Sequence, residues 1–174
     1  MPIEPPPSRW QLDLDRATPD DDLVGVGADL EPGTVLMAYR AGLFPMGIGD
    51  DGGPPTGWWS PDPRGVLMHG DLKISGSLRK SLRQFEIRVD SAFADVIEAC
   101  ADPTRDGRWI TADVIAAYTR LQELGWAHSV EAGRVGELRG GPYGLCLGGR
   151  FGGEVGAHRW SRASTGAVVG RTGG

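Results

Sequence analysis

The chain has 174 residues, 40% hydrophobic and 24% charged, a composition typical of a globular protein with one domain, or one domain plus a small lobe. No apolar run reaches the length of a membrane span, and residues 1–10 lack the basic start and apolar core of a signal peptide. The formal charge of −5 is a weak argument against a nucleic-acid partner.

The first third of the chain predicts a small lobe that ends in a flexible connection. The proline-rich residues 1–7 and the acidic "TPDDD" predict mobile surface segments, and "EPGTVLMAYRAGLFP" predicts a short helix capped by Thr34. Residues 46–57 hold five glycines and two prolines, which predicts a linker or mobile loop between two lobes. The following "GWWSPDPR" then forms the seam, with Trp58 and Trp59 buried at the junction.

The rest of the chain predicts a mixed α/β domain. "GVLMHGDLKIS" predicts a strand, "GSLRKSLRQ" a basic helix, "FEIRV" a strand and "SAFADVIEACA" a helix. Residues 111–125 predict the clearest helix, capped by Thr111, with an apolar stripe and Gly125 at its end. Three strand-like pieces follow: "WAHSVEA", "GELRGGPYGLCLG" and "RFGGEV".

Charge is distributed unevenly along the chain. Residues 1–31 hold eight acidic and two basic residues, a net of −6, so that the remainder carries +1. Residues 64–88 are rich in basic side chains: Arg64, Lys73, Arg79, Lys80, Arg83 and Arg88. Such a patch could hold a few phosphates with strong salt dependence, and the alternative is a solvated helix face.

General catalytic motifs leave few candidate residues. Cys100 and Cys146 form neither a disulfide framework nor a metal-ligand pattern, which favours a reducing cytoplasm. The three histidines are scattered, so a structural role is favoured for each, and no nucleophile elbow, phosphate loop or dinucleotide fingerprint occurs. Glu154 remains, a solitary carboxylate in a glycine-rich strand, either at an exposed edge or directed into a cavity.

Five blocks carry a family resemblance, and a partial match extends through "FGGE" at 151–154. They are "LVGVGADLEPGTVLMAYRAGLFP" (23–45), "WWSPDPRGVL" (58–67), "FADVIEACA" (93–101), "GRWITADVIAAYTRLQELGWAHSVE" (107–131) and "LRGGPYGL" (138–145). In this order and spacing they resemble the bacterial leucyl/phenylalanyl-tRNA–protein transferases.

The resemblance implies both a fold and an activity. The fold is α/β, with a mixed α+β sheet: an acidic, proline-rich segment (1–22), a small N-terminal domain ending in the linker (23–57), and a GNAT-like acyltransferase domain (58–174). The activity is transfer of Leu or Phe from aminoacyl-tRNA to proteins with N-terminal Arg or Lys, which marks them for degradation. No cofactor, metal or membrane is implied.

The resemblance also assigns site residues. Trp109 and Phe151 would line the aminoacyl pocket, for which core packing is the alternative, and Glu154 would lie beside the aminoacyl α-amino group as the catalytic carboxylate. Met46 and Pro142 occupy pocket positions where the family has tryptophan and methionine. The basic stretch at 64–88, and not the resemblance, supplies the candidate tRNA contacts: Arg64, Lys73, Arg79, Lys80 and Arg83.

After Glu154 the chain departs from the family pattern. It reads "VGAHRWSRASTGAVVGRTGG", where the family continues to an Asp-Cys-Gln-type segment with a catalytically important glutamine. We therefore expect a truncated or frame-damaged member, incomplete at its C-terminus, with little or no activity alone. The second interpretation is an inactive tRNA- or protein-binding remnant. The third, an acyl-CoA-dependent transferase, lacks its pyrophosphate-binding pattern.

Overall fold

The computed structural model describes residues 1–12, 22–68, 73–104 and 109–158. Over these residues it has seven strands: β1 (Leu23–Val26), β2 (Phe44–Gly47), β3 (Thr56–Trp59), β4 (Glu86–Val89), β5 (Ala127–Arg134), β6 (Glu137–Leu147) and β7 (Arg150–His158). The helices are α1 (Pro32–Arg40), α2 (Gly76–Leu82), α3 (Phe93–Cys100) and α4 (Ala112–Glu123). The predicted mixed α/β class is confirmed.

The chain forms two compact units. The first comprises residues 1–65 and 101–124, and the second comprises residues 66–100 and 125–174. This division differs from the predicted boundary at residue 58, which falls inside β3. The division also differs from the prediction at α4. This helix belongs to the first unit, because its apolar stripe packs against α1.

The first unit contains an antiparallel sheet in the order β1-β3-β2. Trp58 on the central strand is fully buried and donates from Nε1 to the Gly27 carbonyl oxygen at 2.8 Å. The prediction of a linker over residues 46–57 is wrong, because β2 and β3 pair there as a hairpin. The tryptophans of "GWWSPDPR" likewise lie within this sheet and not at a seam. Glycines suit the hairpin, since a Cβ on Gly47 would lie 1.8 Å from the Gly52 carbonyl oxygen.

Two helices complete the first unit. The cap predicted for α1 is wrong: the N-cap is Glu31, followed by a proline in the first turn, whereas Thr34 is buried and donates from Oγ1 to Asp29 at 2.7 Å. The cap of α4 is confirmed, because the Thr111 hydroxyl accepts from the backbone N–H of Val114 at 3.4 Å.

The N-terminal segment is held against this unit. The Ile3 N–H donates to the Leu124 carbonyl oxygen at 2.8 Å, and Arg40 donates to both carboxylate oxygens of Glu4 at 2.7 and 2.9 Å. Pro5 is buried. The expectation of a mobile segment over residues 1–7 is therefore wrong, because both backbone and side-chain bonds fix it.

The second unit is built on an antiparallel sheet in the order β4-β5-β6-β7, with α3 packed on one face. The Phe93 ring of α3 meets the Tyr143 ring of β6 edge to face, with centroids 6.2 Å apart. The predictions for β4 to β7, α2 and α3 are confirmed. The strand predicted in "GVLMHGDLKIS" is absent from residues 66–68 and 73–75, and residues 69–72 lie outside the described residues, as does the chain after 158.

A buried carboxylate joins α3 to the sheet. Glu131 on β5 is 2% exposed and accepts hydrogen bonds from Ser91 N–H, Ser91 Oγ, Ala92 N–H and Ser129 Oγ. Two of these donors are backbone N–H groups that lead into α3, where negative charge is favourable. Glu131 thus fixes the start of the helix to the centre of the sheet.

Candidate functional site

Strand pairing determines which predicted site residues share a face of the four-stranded sheet. Three cross-strand pairs lie on the face away from α3: Pro142–Gly156, Gly144–Gly153 and Cys146–Phe151. Because alternate residues of a strand lie on the same face, Pro142 and Phe151 share this face, whereas Tyr143 lies on the α3 face. Two of the predicted pocket residues therefore lie on one surface.

Only glycine positions separate these two residues on that surface. We call the strip over Gly144 and Gly153, with Pro142 at one end and Phe151 at the other, the glycine trough. Pro142 is buried and Phe151 is half-buried. A Cβ built on Gly153 would lie 3.5 Å from Cε1 of Phe151, so the aromatic ring borders the trough. Within β6 and β7, the strip between Pro142 and Phe151 therefore carries no side chain at Gly144 or Gly153.

Glu154 lies at an irregularity of β7, directly after Gly153 in the chain. Tyr143 pairs with Val155 and Gly144 pairs with Gly153, so Glu154 is the extra residue of a β-bulge. Bulges redirect side chains and are frequent near functional sites. Burial raises the pKa of Tyr143, and the neighbouring Glu154 carboxylate and Cys100 raise it further. The charge of Glu154 is thus close enough to act on a buried phenol.

The other two predicted pocket residues lie in the first unit. Met46 is half-buried on β2, where its carbonyl oxygen accepts from Trp59 Nε1 at 3.0 Å. Trp109 is half-buried and lies just ahead of α4. Pro142, Phe151 and Glu154 thus belong to the second unit, and the site roles of all five residues stay predictions.

The predicted tRNA contacts also divide between the units. Four cations lie exposed on or near α2, with no ion pair among the described residues: Lys73, Arg79, Lys80 and Arg83. Arg79 and Arg83 are one helical turn apart and share a side of the helix. Arg64 belongs to the first unit, donates to the Gly42 carbonyl oxygen and lies 5.3 Å from the Phe44 ring centroid. Its guanidinium is already engaged.

The first unit holds a separate cleft of about 410 Å³ between the β1–α1 connection and α4. None of the predicted site residues lines it. Over the described parts of the chain, no group of three or more His, Cys, Asp or Glu side chains could hold a metal ion. In those parts, no helix is both long enough and apolar enough to cross a membrane.

Sequence reasoning missed one pair of residues beside the trough. His128 on β5 pairs with Gly144, and its Nδ1 lies 2.7 Å from Oδ2 of Asp90. Asp90 also accepts from the Ser129 N–H at 2.9 Å. The partners are 38 positions apart, so only strand pairing could reveal them. One weak signal for this pair was present in the sequence, namely that His128 lies near the start of a predicted strand.

The fold is that of a two-unit α/β protein whose second unit carries a glycine strip between Pro142 and Phe151. The family model described as leucyl/phenylalanyl-tRNA protein transferase matches residues 66–171, and the model of that family's N-terminal domain matches residues 28–62. The chain therefore belongs to the leucyl/phenylalanyl-tRNA protein transferase family, which confirms the predicted resemblance.

Curated relatives named leucyl/phenylalanyl-tRNA–protein transferase agree with this assignment. A protein of Aromatoleum aromaticum is 51% identical over 153 residues, covering 86% of this chain and 63% of its own length. One from Nitrosospira multiformis is 50% identical, covering 84% of this chain and 64% of its own length. One from Nitratidesulfovibrio vulgaris is 47% identical, covering 90% and 68% respectively. The chain thus spans slightly less than two thirds of the first two relatives.

Proposed function

We propose that the chain transfers Leu or Phe from aminoacyl-tRNA to proteins that begin with Arg or Lys. The observation that carries the proposal is family membership over both matched segments, combined with the glycine strip between Pro142 and Phe151. An aminoacyl ester is already activated, so the protein needs mainly to position an amine and move one proton. The location we propose is the cytoplasm, where charged tRNA is present.

The glycine trough is the proposed pocket for the aminoacyl side chain. Glycines at its floor leave room for a branched or aromatic group, and Phe151 offers a ring edge for contact. Selectivity among apolar side chains in such a pocket is modest, about 1–3 kcal/mol per methylene. We therefore expect Leu and Phe to be accepted together, and short side chains such as Ala to be disfavoured.

Glu154 is proposed to hold the α-amino group of the donor amino acid. That group is cationic or a strong hydrogen-bond donor, and a carboxylate is a strong partner for it. The bulge supports this role, because bulges redirect side chains and Glu154 follows Gly153 directly in the chain. Met46 and Trp109 are proposed as further pocket residues from the family resemblance alone.

The exposed cations near α2 are proposed to bind the tRNA backbone. Arg79, Lys80 and Arg83 carry three positive charges within five residues and have no recorded acidic partner among the described residues. Phosphate contacts of this kind supply affinity that is independent of sequence and strongly dependent on salt. Arg64 is a weaker candidate, since it already bonds to Gly42.

Donor selectivity tests this proposal. The full chain is incubated with an Arg-initiated peptide and with tRNA charged with Leu, Phe or Ala, and labelled peptide is counted. We expect transfer of Leu and Phe, little transfer of Ala, and a loss of about tenfold or more in Phe151→Ala, because the ring contact disappears. Equal transfer of all three amino acids, or an unaffected Phe151→Ala variant, would contradict the proposed pocket.

A further inference from the structure

We propose that His128, oriented by Asp90, accepts the proton of the attacking amine during aminoacyl transfer. The inference rests on the proposed function and adds a proton acceptor to the same site. Its basis is the position of the imidazole on the trough face, together with a carboxylate held against one of its ring nitrogens.

The Asp90 carboxylate determines which nitrogen of His128 can act as a base. Because a carboxylate only accepts, a neutral imidazole 2.7 Å away donates from Nδ1, which leaves Nε2 with its lone pair. The carboxylate is itself fixed by the Ser129 N–H at 2.9 Å. Among the described residues, Nε2 has no hydrogen-bond partner. The side chains of His128 and Asp90 are 25% and 30% exposed, so water does not fully surround the pair.

Asp90 is held in an uncommon backbone conformation. Its φ of 54° lies in the left-handed region, and its N–H donates to the Ser129 carbonyl oxygen at 3.1 Å. Residues other than glycine adopt this region at a cost of about 1–3 kcal/mol, and such residues cluster at functional sites. The bonds to Ser129 compensate for this cost and fix the carboxylate for the imidazole.

The row of residues next to His128 is formed by backbone in β6 and β7, and the Gly152 carbonyl oxygen lies 2.1 Å from where a Cβ on Gly144 would stand. His128 pairs with Gly144, and Gly144 pairs with Gly153, so no side chain of β6 or β7 stands in that row. Neighbouring strands are about 4.8 Å apart, which puts His128 about 10 Å from Gly153 between Cα atoms. An amine bound over this row, outside the Gly152 carbonyl, would lie between the imidazole and the proposed aminoacyl pocket.

Three other titratable groups come from the strands next to His128. Asp90, directly after β4, contacts the imidazole, whereas Cys146 lies two positions beyond Gly144 on β6 and Glu154 follows Gly153 two strands away on β7. Glu131 is on the opposite face and bonds to Ser91 and Ser129. A pH profile that reports His128 must therefore be separated from these groups by variants.

The proposed step transfers the aminoacyl group from the ribose oxygen of the tRNA to the peptide amine. The peptide amine nitrogen forms a bond to the ester carbonyl carbon, and the bond from that carbon to the ribose oxygen breaks. His128 Nε2 takes the proton that the amine loses and returns it to the leaving ribose oxygen. The products are the extended peptide and a tRNA with a free terminal hydroxyl, and no oxidant, reductant or metal takes part.

Two readouts on the full chain test the inference. The first is single-turnover transfer from leucyl-tRNA to an Arg-initiated peptide across pH 5.5 to 9. Positioned general bases contribute about 10²–10⁴-fold, so we expect at least a hundredfold loss in His128→Gln together with loss of the acid limb of the profile. Asp90→Asn should retain the fold, lose part of the rate and change the profile. Glu98→Gln, an exposed change on α3, is the matched control.

The second readout does not require transfer. Nitrogen NMR of the histidine side chains is recorded while 3′-phenylalanylamido-adenosine and the Arg-initiated peptide are added, and His128 is assigned by its absence in His128→Gln. A shift of the His128 ring nitrogens supports the inference, even if the chain transfers nothing and the proposed function fails. An unchanged His128 signal on analogue binding, no analogue binding, or transfer by His128→Gln within twofold of the unaltered chain overturns it.

Discussion

The glycine trough can be tested by adding a single methyl group. A Cβ on Gly153 would lie 3.5 Å from Cε1 and 3.9 Å from Cδ1 of Phe151, which is ordinary van der Waals contact. The position has no left-handed φ, so alanine fits its backbone. We expect Gly153→Ala to change the free energy of unfolding by less than about 1 kcal/mol. Alanine restricts the unfolded chain more than glycine does, and this favours the folded state slightly.

The same methyl should impair transfer. It takes up room that the aminoacyl side chain would need, and one methylene in such a pocket is worth about 1–3 kcal/mol. At 1.36 kcal/mol per factor of ten, this corresponds to a decrease of about 5- to 150-fold in kcat/KM. We expect the decrease to be larger for Phe than for Leu, because the ring needs more of the floor.

Thermal unfolding and single-turnover transfer with both charged tRNAs are the assays. Gly144→Ala is the contrasting variant, because its Cβ would lie 2.1 Å from the backbone oxygen of Gly152. The pairing of β6 with β7 prevents the two backbones from moving apart to make room. That variant should lose stability, on the order of 3 kcal/mol. Transfer by Gly153→Ala at the unaltered rate with both tRNAs would refute the trough as the pocket.

Three further predictions follow from the described contacts. Glu131→Ala removes a buried carboxylate that accepts four hydrogen bonds, and it should lower the free energy of unfolding, measured in urea, by about 3–5 kcal/mol. Glu131→Gln should lower that free energy less, and equal stability of the two variants would contradict this prediction. Replacing Arg79, Lys80 and Arg83 by Ala should weaken tRNA binding and reduce the slope of log K against log salt by about 2–3, and an unchanged slope would exclude α2 from the interface. Because the pKa of Tyr143 is raised in the fold above its ordinary 10.0, the unfolded chain releases its proton first, so stability should fall as pH rises above 10. In Tyr143→Phe, the unfolding midpoint should fall less steeply with pH above the ordinary tyrosine pKa of 10.0. A fall as steep as that of the unaltered chain would contradict this prediction.

Local sequence signals predicted α4 and the elements of the second unit well. The cap at Thr111 and the apolar stripe that follows it specify α4 within one continuous segment, and "FEIRV" alternates as β4 does. The segment at 46–57 misled because glycine and proline are equally suited to a linker and to a hairpin turn. Only the pairing of β2 with β3, which buries Trp58 between two neighbours, distinguishes the two.

The site was only partly accessible from sequence. Glu154 and Phe151 were identified by resemblance, whereas their relation depends on the register of β6 and β7. A shift of one residue moves every side chain to the other face of a sheet, and the bulge at Glu154 makes such a shift locally. The pair of Asp90 and His128 depends on register too, since the two residues come from different strands.

The most direct test of the proposed activity is the mass of the acceptor peptide. The full chain is incubated with leucyl-tRNA and an equimolar mixture of Arg-initiated and Ala-initiated peptides, and both are followed by mass spectrometry. We expect the Arg-initiated peptide alone to gain one leucine residue, with Glu154→Gln at least tenfold slower, because the donor amine loses a charged hydrogen-bond acceptor. No gain on either peptide, while the chain still binds leucyl-tRNA, would contradict the proposed transfer and favour a binding role.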